Sequence, residues 1–189
     1  MKPLFKYAGI AASLVLIAFG IGAIVTGING RGEVRDQIAR EQIVGTPDMA
    51  ASVANKQVKT GAQAKAFANG MRKHTLEATQ GQTYSEMGRF VTAAGKPTND
   101  ENAAAKANGK PVDNPARNIW VTETALSTAL NTSFFAENVA NFAIVMGVAM
   151  LLVGTGFLVL MFAVPAIAGA TAARRTADRT GASTPVAQA

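Results

Sequence analysis

His74 is the sole histidine of the 189-residue chain, and it stands beside Arg72, Lys73 and Glu77 in the run RKHTLEAT. An imidazole titrates near neutral pH, which suits it to general-base work or metal ligation. Zinc and non-haem iron sites need several ligands, however, and a two-histidine, one-carboxylate triad cannot be built from one histidine. The chain has no cysteine, which removes thiolate nucleophiles, thiolate metal sites and disulfides together. Glu77 and Glu86 are accounted for as solvated helix positions and caps. Ser85 lacks the strand-turn-helix setting of a nucleophile elbow. The glycines of Gly154-Thr155-Gly156 lie inside an apolar run, so they form no phosphate loop. Asn131-Thr132-Ser133 matches a glycosylation acceptor but falls within a predicted helix. The residue inventory therefore predicts no catalytic residue, no metal ligand and no cofactor.

The elements that must carry these residues are set by two charge-free runs. Residues 142–164, FAIVMGVAMLLVGTGFLVLMFAV, hold 23 residues without a charge, and residues 8–28 hold 21. A helix rises about 1.5 Å per residue, so each run is long enough to cross the hydrocarbon core of a bilayer, about 30 Å thick. The first run exceeds the apolar region of about 7–15 residues found in a secretory signal, and no convincing A-x-A site follows it. It is expected to remain as an uncleaved helix.

The net charge of +6 is concentrated at the ends. Lys2, Lys6, Arg174, Arg175 and Arg179 against Asp178 give +4, while the central segment carries +2. Basic residues flanking apolar spans anchor the cytoplasmic side, so nucleic-acid binding is not expected. The rule places both termini in the cytoplasm and residues 29–138 outside.

The expected organisation is an all-α membrane protein with two transmembrane helices in a hairpin and a small, mostly helical extracytoplasmic segment. It comprises a cytoplasmic N-terminus at 1–7, a first span at 8–28, the outer segment at 29–138, a second span at 139–167 and a disordered cytoplasmic tail at 168–189. Within the outer segment, EVRDQIAREQIV at 33–44 predicts a short solvated helix that follows the glycines at 27, 30 and 32. Residues 48–60 predict a loop or a short strand around Val53 to Val58. Ala64, Phe67, Met71 and His74 are spaced 3, 4 and 3, which predicts a helix over 61–79 with Gly81 as its C-cap. Thr83 and Glu86 fit a capping box opening a second helix over 84–94. Residues 95–117, with three prolines, two glycines and four asparagines, predict an exposed mobile loop. A long helix then starts near Asn118 and continues into the second span.

Two sets of residues are candidates for packing and recognition. Gly9, Ser13, Gly20 and Gly27 are spaced 4, 7 and 7 in the first span, and Ala143, Gly147 and Gly154 are spaced 4 and 7 in the second. Small residues let transmembrane helices approach closely, so these stripes are expected to face each other. Outside the membrane, Leu126, Leu130 and Phe134 follow Ile119 along one helix face. Together with Trp120 they are expected to form a partner surface.

AQAKAFANGMRKHTLEATQGQTYSEM and NPARNIWVTETALSTALNTSFFAENVANFAIVMGVAMLLVG resemble an actinobacterial family of two-span membrane proteins of similar length. The shared positions are Lys73, His74, Leu76, Glu77, Gly81, Thr83, Tyr84 and residues 120–131. Such proteins often carry the automatic label "aromatic ring-opening dioxygenase", a chemistry for which one histidine supplies too few ligands. The resemblance implies a bacterial plasma membrane and supplies no catalytic residue. The function expected from all this is that of a non-enzymatic accessory or scaffold subunit of an envelope complex. Its partners would be the lipid bilayer and other membrane subunits or further copies of itself, with no nucleic acid and no small-molecule substrate. A homo-oligomeric channel is the alternative, and an outer-surface enzyme a remote one.

Overall fold

The computed structural model describes residues 3–181. The chain is mostly helical, with α1 at Pro3–Arg40, α2 at Gly61–Ala78 and α3 at Pro115–Gly181. Four two-residue strands lie between α2 and α3: β1 at Phe90–Val91, β2 at Pro97–Thr98, β3 at Lys106–Ala107 and β4 at Lys110–Pro111. α1 and α3 are both long and apolar enough to cross a membrane. The chain divides into two compact units, one of residues 1–28 with 142–189 and one of residues 29–141.

In the first unit α1 and α3 pack through small residues. A Cβ placed on Gly20 would lie 2.8 Å from the Gly147 carbonyl oxygen, and one on Gly147 would lie 2.6 Å from the Gly20 carbonyl oxygen. A Cβ on Gly154 would meet the Ser13 carbonyl oxygen at 3.0 Å, and one on Gly9 would meet the Met161 sulfur at 2.9 Å. The contacts thus run 9 to 161, 13 to 154 and 20 to 147, opposite in order along the two helices. Ser13 is fully buried and gives its hydroxyl to the Gly9 carbonyl at 2.8 Å, so no donor is stranded in the seam. Gly27 is buried and Ala143 half-buried. The remaining faces are sheathed in exposed Leu14, Phe19, Val25, Phe142, Leu152 and Phe162.

Two boundaries differ from those expected. Gly27, Gly30 and Gly32 do not interrupt α1, which incorporates residues 33–40 in the same helix. A helical glycine costs about 1 kcal/mol relative to alanine, a penalty that close packing offsets. At Gly30 and Gly32 that offset is not the explanation, since a Cβ on Gly30 would make only an ordinary contact with Ala140 at 3.8 Å and one on Gly32 would meet nothing within 4 Å. Pro165 does not end α3 either, and the helix continues to Gly181. Past Pro165, Thr171 caps the carbonyls of Ile167 and Ala168 with its hydroxyl. The expected disordered tail is therefore helical as far as Gly181, and residues 182–189 lie outside the described residues.

The second unit is built on α2. Thr60 is its N-cap, accepting from the Gln63 amide at 3.3 Å, while the Gln63 side chain accepts from the Lys59 amide at 2.9 Å. Gln80 takes the left-handed conformation after the last turn (φ 56°), and Gly81 donates back to the Leu76 carbonyl at 2.7 Å. Between these ends the helix buries Ala64 and Ala68 against Ile38 of α1, Val53 and Val58 of the preceding loop, and Leu130 of α3. That loop holds itself by isolated bridges pairing Val44 with Gln57 and Gly45 with Ala54, not by a regular strand.

The predicted helix over 84–94 is absent. Thr83 and Glu86 do pair, with the Glu86 carboxylate accepting from the Thr83 amide and hydroxyl at 2.7 Å each, but they close a turn. The chain then leaves helical geometry because Met87 and Phe90 are buried and Phe90 pairs with Thr98 in an antiparallel ladder. Residues 95–117 likewise form structure where an exposed loop is expected. β1 and β2 make one hairpin, and β3 and β4 make a second around Asn108-Gly109, both at positive φ. Bonds from the Ala105 amide to the Val91 carbonyl and from the Val91 amide to the Val112 carbonyl knit the two together.

Candidate functional site: the cleft between α2 and α3

The C-terminal half of α2 and the N-terminal part of α3 enclose an open cleft of about 470 Å³. Met71 and Ile119 give it apolar walls, while His74, Thr75, Asn118 and Glu123 bring polar groups. His74 reaches it because it lies on the stripe that α2 turns toward α3. Its Nε2 meets Asp48 Oδ2 at 2.5 Å, and Thr46 donates to Asp48 Oδ1 at 2.7 Å. The Thr46 hydroxyl, followed by His74, holds the Asp48 carboxyl down to about 2.

Glu123 is the unusual member. It is buried on α3, accepts from the Ser127 hydroxyl at 2.7 Å, and also lines a smaller cavity of about 230 Å³ on the other flank. Arg72 borders that smaller cavity with its guanidinium 5.3 Å from the centre of the Trp120 ring. Trp120 is 3% exposed and donates from Nε1 to the Gln82 carbonyl at 2.9 Å.

A second buried carboxylate lies further along α3. Glu137 accepts from Arg35 Nε at 2.7 Å and pairs with a second Arg35 nitrogen at 2.5 Å. It also accepts from the Gly61 amide at the start of α2. One side chain thus joins α1, α2 and α3. A Cβ on Gly61 would come within 2.8 Å of the Glu137 carboxylate, so glycine is what admits the bond.

The expected partner surface needs correction. Trp120 and Leu130 are buried, Phe134 is half-buried under the Lys65 ammonium at 4.5 Å, and Leu126 alone of the four is exposed. The face of α3 turned inward carries Trp120, Glu123, Leu130, Glu137 and Ala140, spaced 3, 7, 7 and 3. That is one residue away from the apolar stripe through Ile119 and Leu126, which are 42% and 48% exposed. Two glutamates on the buried face conceal it from a pattern that counts only apolar side chains. The available signal was their spacing of seven from Leu130.

What the cleft offers chemically is one imidazole held by a carboxylate and one buried carboxylate, set on apolar walls. Among the described residues no group of three or more His, Cys, Asp or Glu could hold a metal ion. In comparisons with known proteins, no family model matches the chain, and neither the curated proteins nor the solved structures contain a match.

The Asp48 pair predicts an acid-sensitive element. A carboxyl that titrates at about 2 in the fold, against about 4 in an unfolded chain, stabilises the fold fully above the higher value. That contribution is lost as pH falls through the interval between the two. Glu86, lowered by the Thr83 amide and then by its hydroxyl, acts in the same direction. Thermal unfolding of the full chain followed between about pH 6 and pH 2 should show the loss. Asp48→Asn should reduce its slope, and an unchanged slope would exclude this origin.

Proposed function

We propose that the chain is a non-enzymatic integral membrane protein serving as an accessory or scaffold subunit of a cell-envelope complex. Its termini would be cytoplasmic and residues 29–138 outside. The observation that carries the reading is the sheath of exposed apolar side chains on α1 and α3. Only 11% of the most apolar stretch of each helix is buried. A core helix of a water-soluble domain would be mostly buried, and an exposed apolar area this large marks a lipid or protein contact. Neither charge-free run contains an ionisable residue, which is unlike the relays and ion pathways of carriers. The resemblance to the actinobacterial two-span family belongs to the same proposal.

A groove of about 460 Å³ on the unit of residues 1–28 and 142–189, lined by Ala18, Phe19, Gly22, Ala23, Thr26 and Ala143, supports the role of a subunit. A Cβ on Gly22 would meet no atom within 4 Å, so the groove is shaped by small residues and not by neighbours within the chain. Solubilisation in mild detergents followed by identification of co-purifying membrane proteins tests the reading. Defined partners that are lost in Gly22→Leu support it. Recovery of a lone monomer under every mild condition sinks it.

A further inference from the structure

A more polar cavity opens where the hairpins meet the start of α3. Its volume is about 480 Å³, and Tyr84, Arg89, Asp113, Asn114, Arg117 and Asn118 line it. The local sequence builds it firmly. Asn114 is buried, donates from its side chain to the Gly88 carbonyl at 2.9 Å, and caps the first turn of α3 by accepting from the Ala116 amide at 3.1 Å. Its own amide donates to the Arg89 carbonyl at 2.8 Å, which ties the two arginine-bearing segments together.

Both guanidiniums are held by aromatic rings and not by acids. Arg117 stacks 4.0 Å from the centre of the Tyr84 ring, and Arg89 lies 5.0 Å from that of Phe90. Among the described residues neither forms an ion pair with a carboxylate, although Asp113 lines the same cavity. Arg117 Nε is moreover buried without a hydrogen-bond partner. That nitrogen is closed off from the cavity, so it is the terminal nitrogens of the guanidinium that can meet a ligand there. Stacking fixes the planar forks and leaves their edges for oxyanions, to which guanidinium binds in paired hydrogen bonds.

A bare anion would also meet the Asp113 carboxylate. A ligand that carries hydroxyl groups beside its anionic group resolves this, because Asp113 and the Asn118 amide oxygen accept from hydroxyls. We propose that this cavity binds a phosphorylated sugar or polyol, with Arg89 and Arg117 on the phosphoryl group and Asp113 with Asn118 on the hydroxyls. The volume falls within the range of about 300–1,000 Å³ typical of small-molecule sites. The same chemistry is offered by a soluble sugar phosphate and by a glycerol-phosphate lipid headgroup.

Titration calorimetry on the full chain in detergent, with glucose 6-phosphate, glucose and inorganic phosphate as probes, tests the assignment. Glucose 6-phosphate should bind saturably and more tightly than either fragment. Arg89→Gln and Arg117→Gln should each weaken it by about tenfold or more, as expected for the loss of a charge-assisted hydrogen bond. Asp113→Asn should weaken glucose 6-phosphate and not inorganic phosphate. Arg89 is exposed, so its variant should keep the wild-type melting temperature and decides the matter if Arg117→Gln does not fold. Competition by phosphatidylglycerol nanodiscs, and not by phosphatidylcholine ones, would identify the headgroup as the source. Lack of competition would identify the soluble ligand. No binding of glucose 6-phosphate, equal binding of inorganic phosphate, or unchanged affinity in Arg89→Gln overturns the proposal.

Discussion

Replacing Glu137 by alanine should destabilise the 29–141 unit by about 3 kcal/mol, the largest effect expected of a single side chain outside the hydrophobic core. The carboxylate serves three helices at once. Its removal leaves the Gly61 amide buried at the start of α2 and deprives Arg35 of its acceptor. Breaking a fully buried ion pair costs about 3–5 kcal/mol, but Arg35 is 43% exposed and recovers water, which places the expectation at the lower end. Glu137→Gln keeps an acceptor for Gly61 and gives up the charged pair, so about half the loss should remain. Hydrogen exchange of the full chain in detergent reads this directly, because the first-turn amides of α2 should lose protection before those of its middle. A loss below about 1 kcal/mol in the alanine variant would show that the clasp is incidental.

The second large effect belongs to the seam of α1 and α3. Gly147→Leu puts a branched side chain where the Gly20 carbonyl and Ile24 already stand within 3 Å of a Cβ position. Backbone cannot yield as a flexible side chain can, so the helices must separate. In lipid the separated faces lose packing without exposing apolar surface to water, and nothing drives them back together. The expected cost is about 1–3 kcal/mol, enough to open the pair in part of the population. The chain has no cysteine of its own, so spin labels on cysteines at the exposed positions 19 and 148 report the distance cleanly. Gly147→Leu should lengthen and broaden that distance. Gly156→Leu, whose Cβ meets nothing within 4 Å, should leave it unchanged. Equal behaviour of the two variants would remove the close approach as the cause of pairing.

Both charge-free runs were legible because absence of charge over twenty residues is a one-dimensional signal. The ends of α2 were nearly so: Gly81 was identifiable, whereas the cap formed by Thr60 and Gln63 went unread one residue upstream of the periodic run. Legibility failed where tertiary contacts chose between local options. Thr83 and Glu86 form their pair, yet the burial of Phe90 against the hairpins turns the chain away from a helix. Asn108-Gly109 was a direct hairpin signal, obscured by the polar composition around it. The inward face of α3 was missed by one residue because Glu123 and Glu137 occupy it. The partners that make their burial tolerable, Ser127 and Arg35, are far less apparent in a linear pattern.

Trp120 gives the 29–141 unit an optical consequence. It is the chain's single tryptophan, buried, with its indole N–H engaged by Gln82 and a guanidinium over its ring. Its emission therefore reports on one place alone, the seam where α2 lies against α3. Whatever parts that seam, whether acid, a variant at Glu137 or an occupant of the cleft, should move the emission to longer wavelength. The protein can thus be followed by its own fluorescence in detergent or lipid, with no label attached.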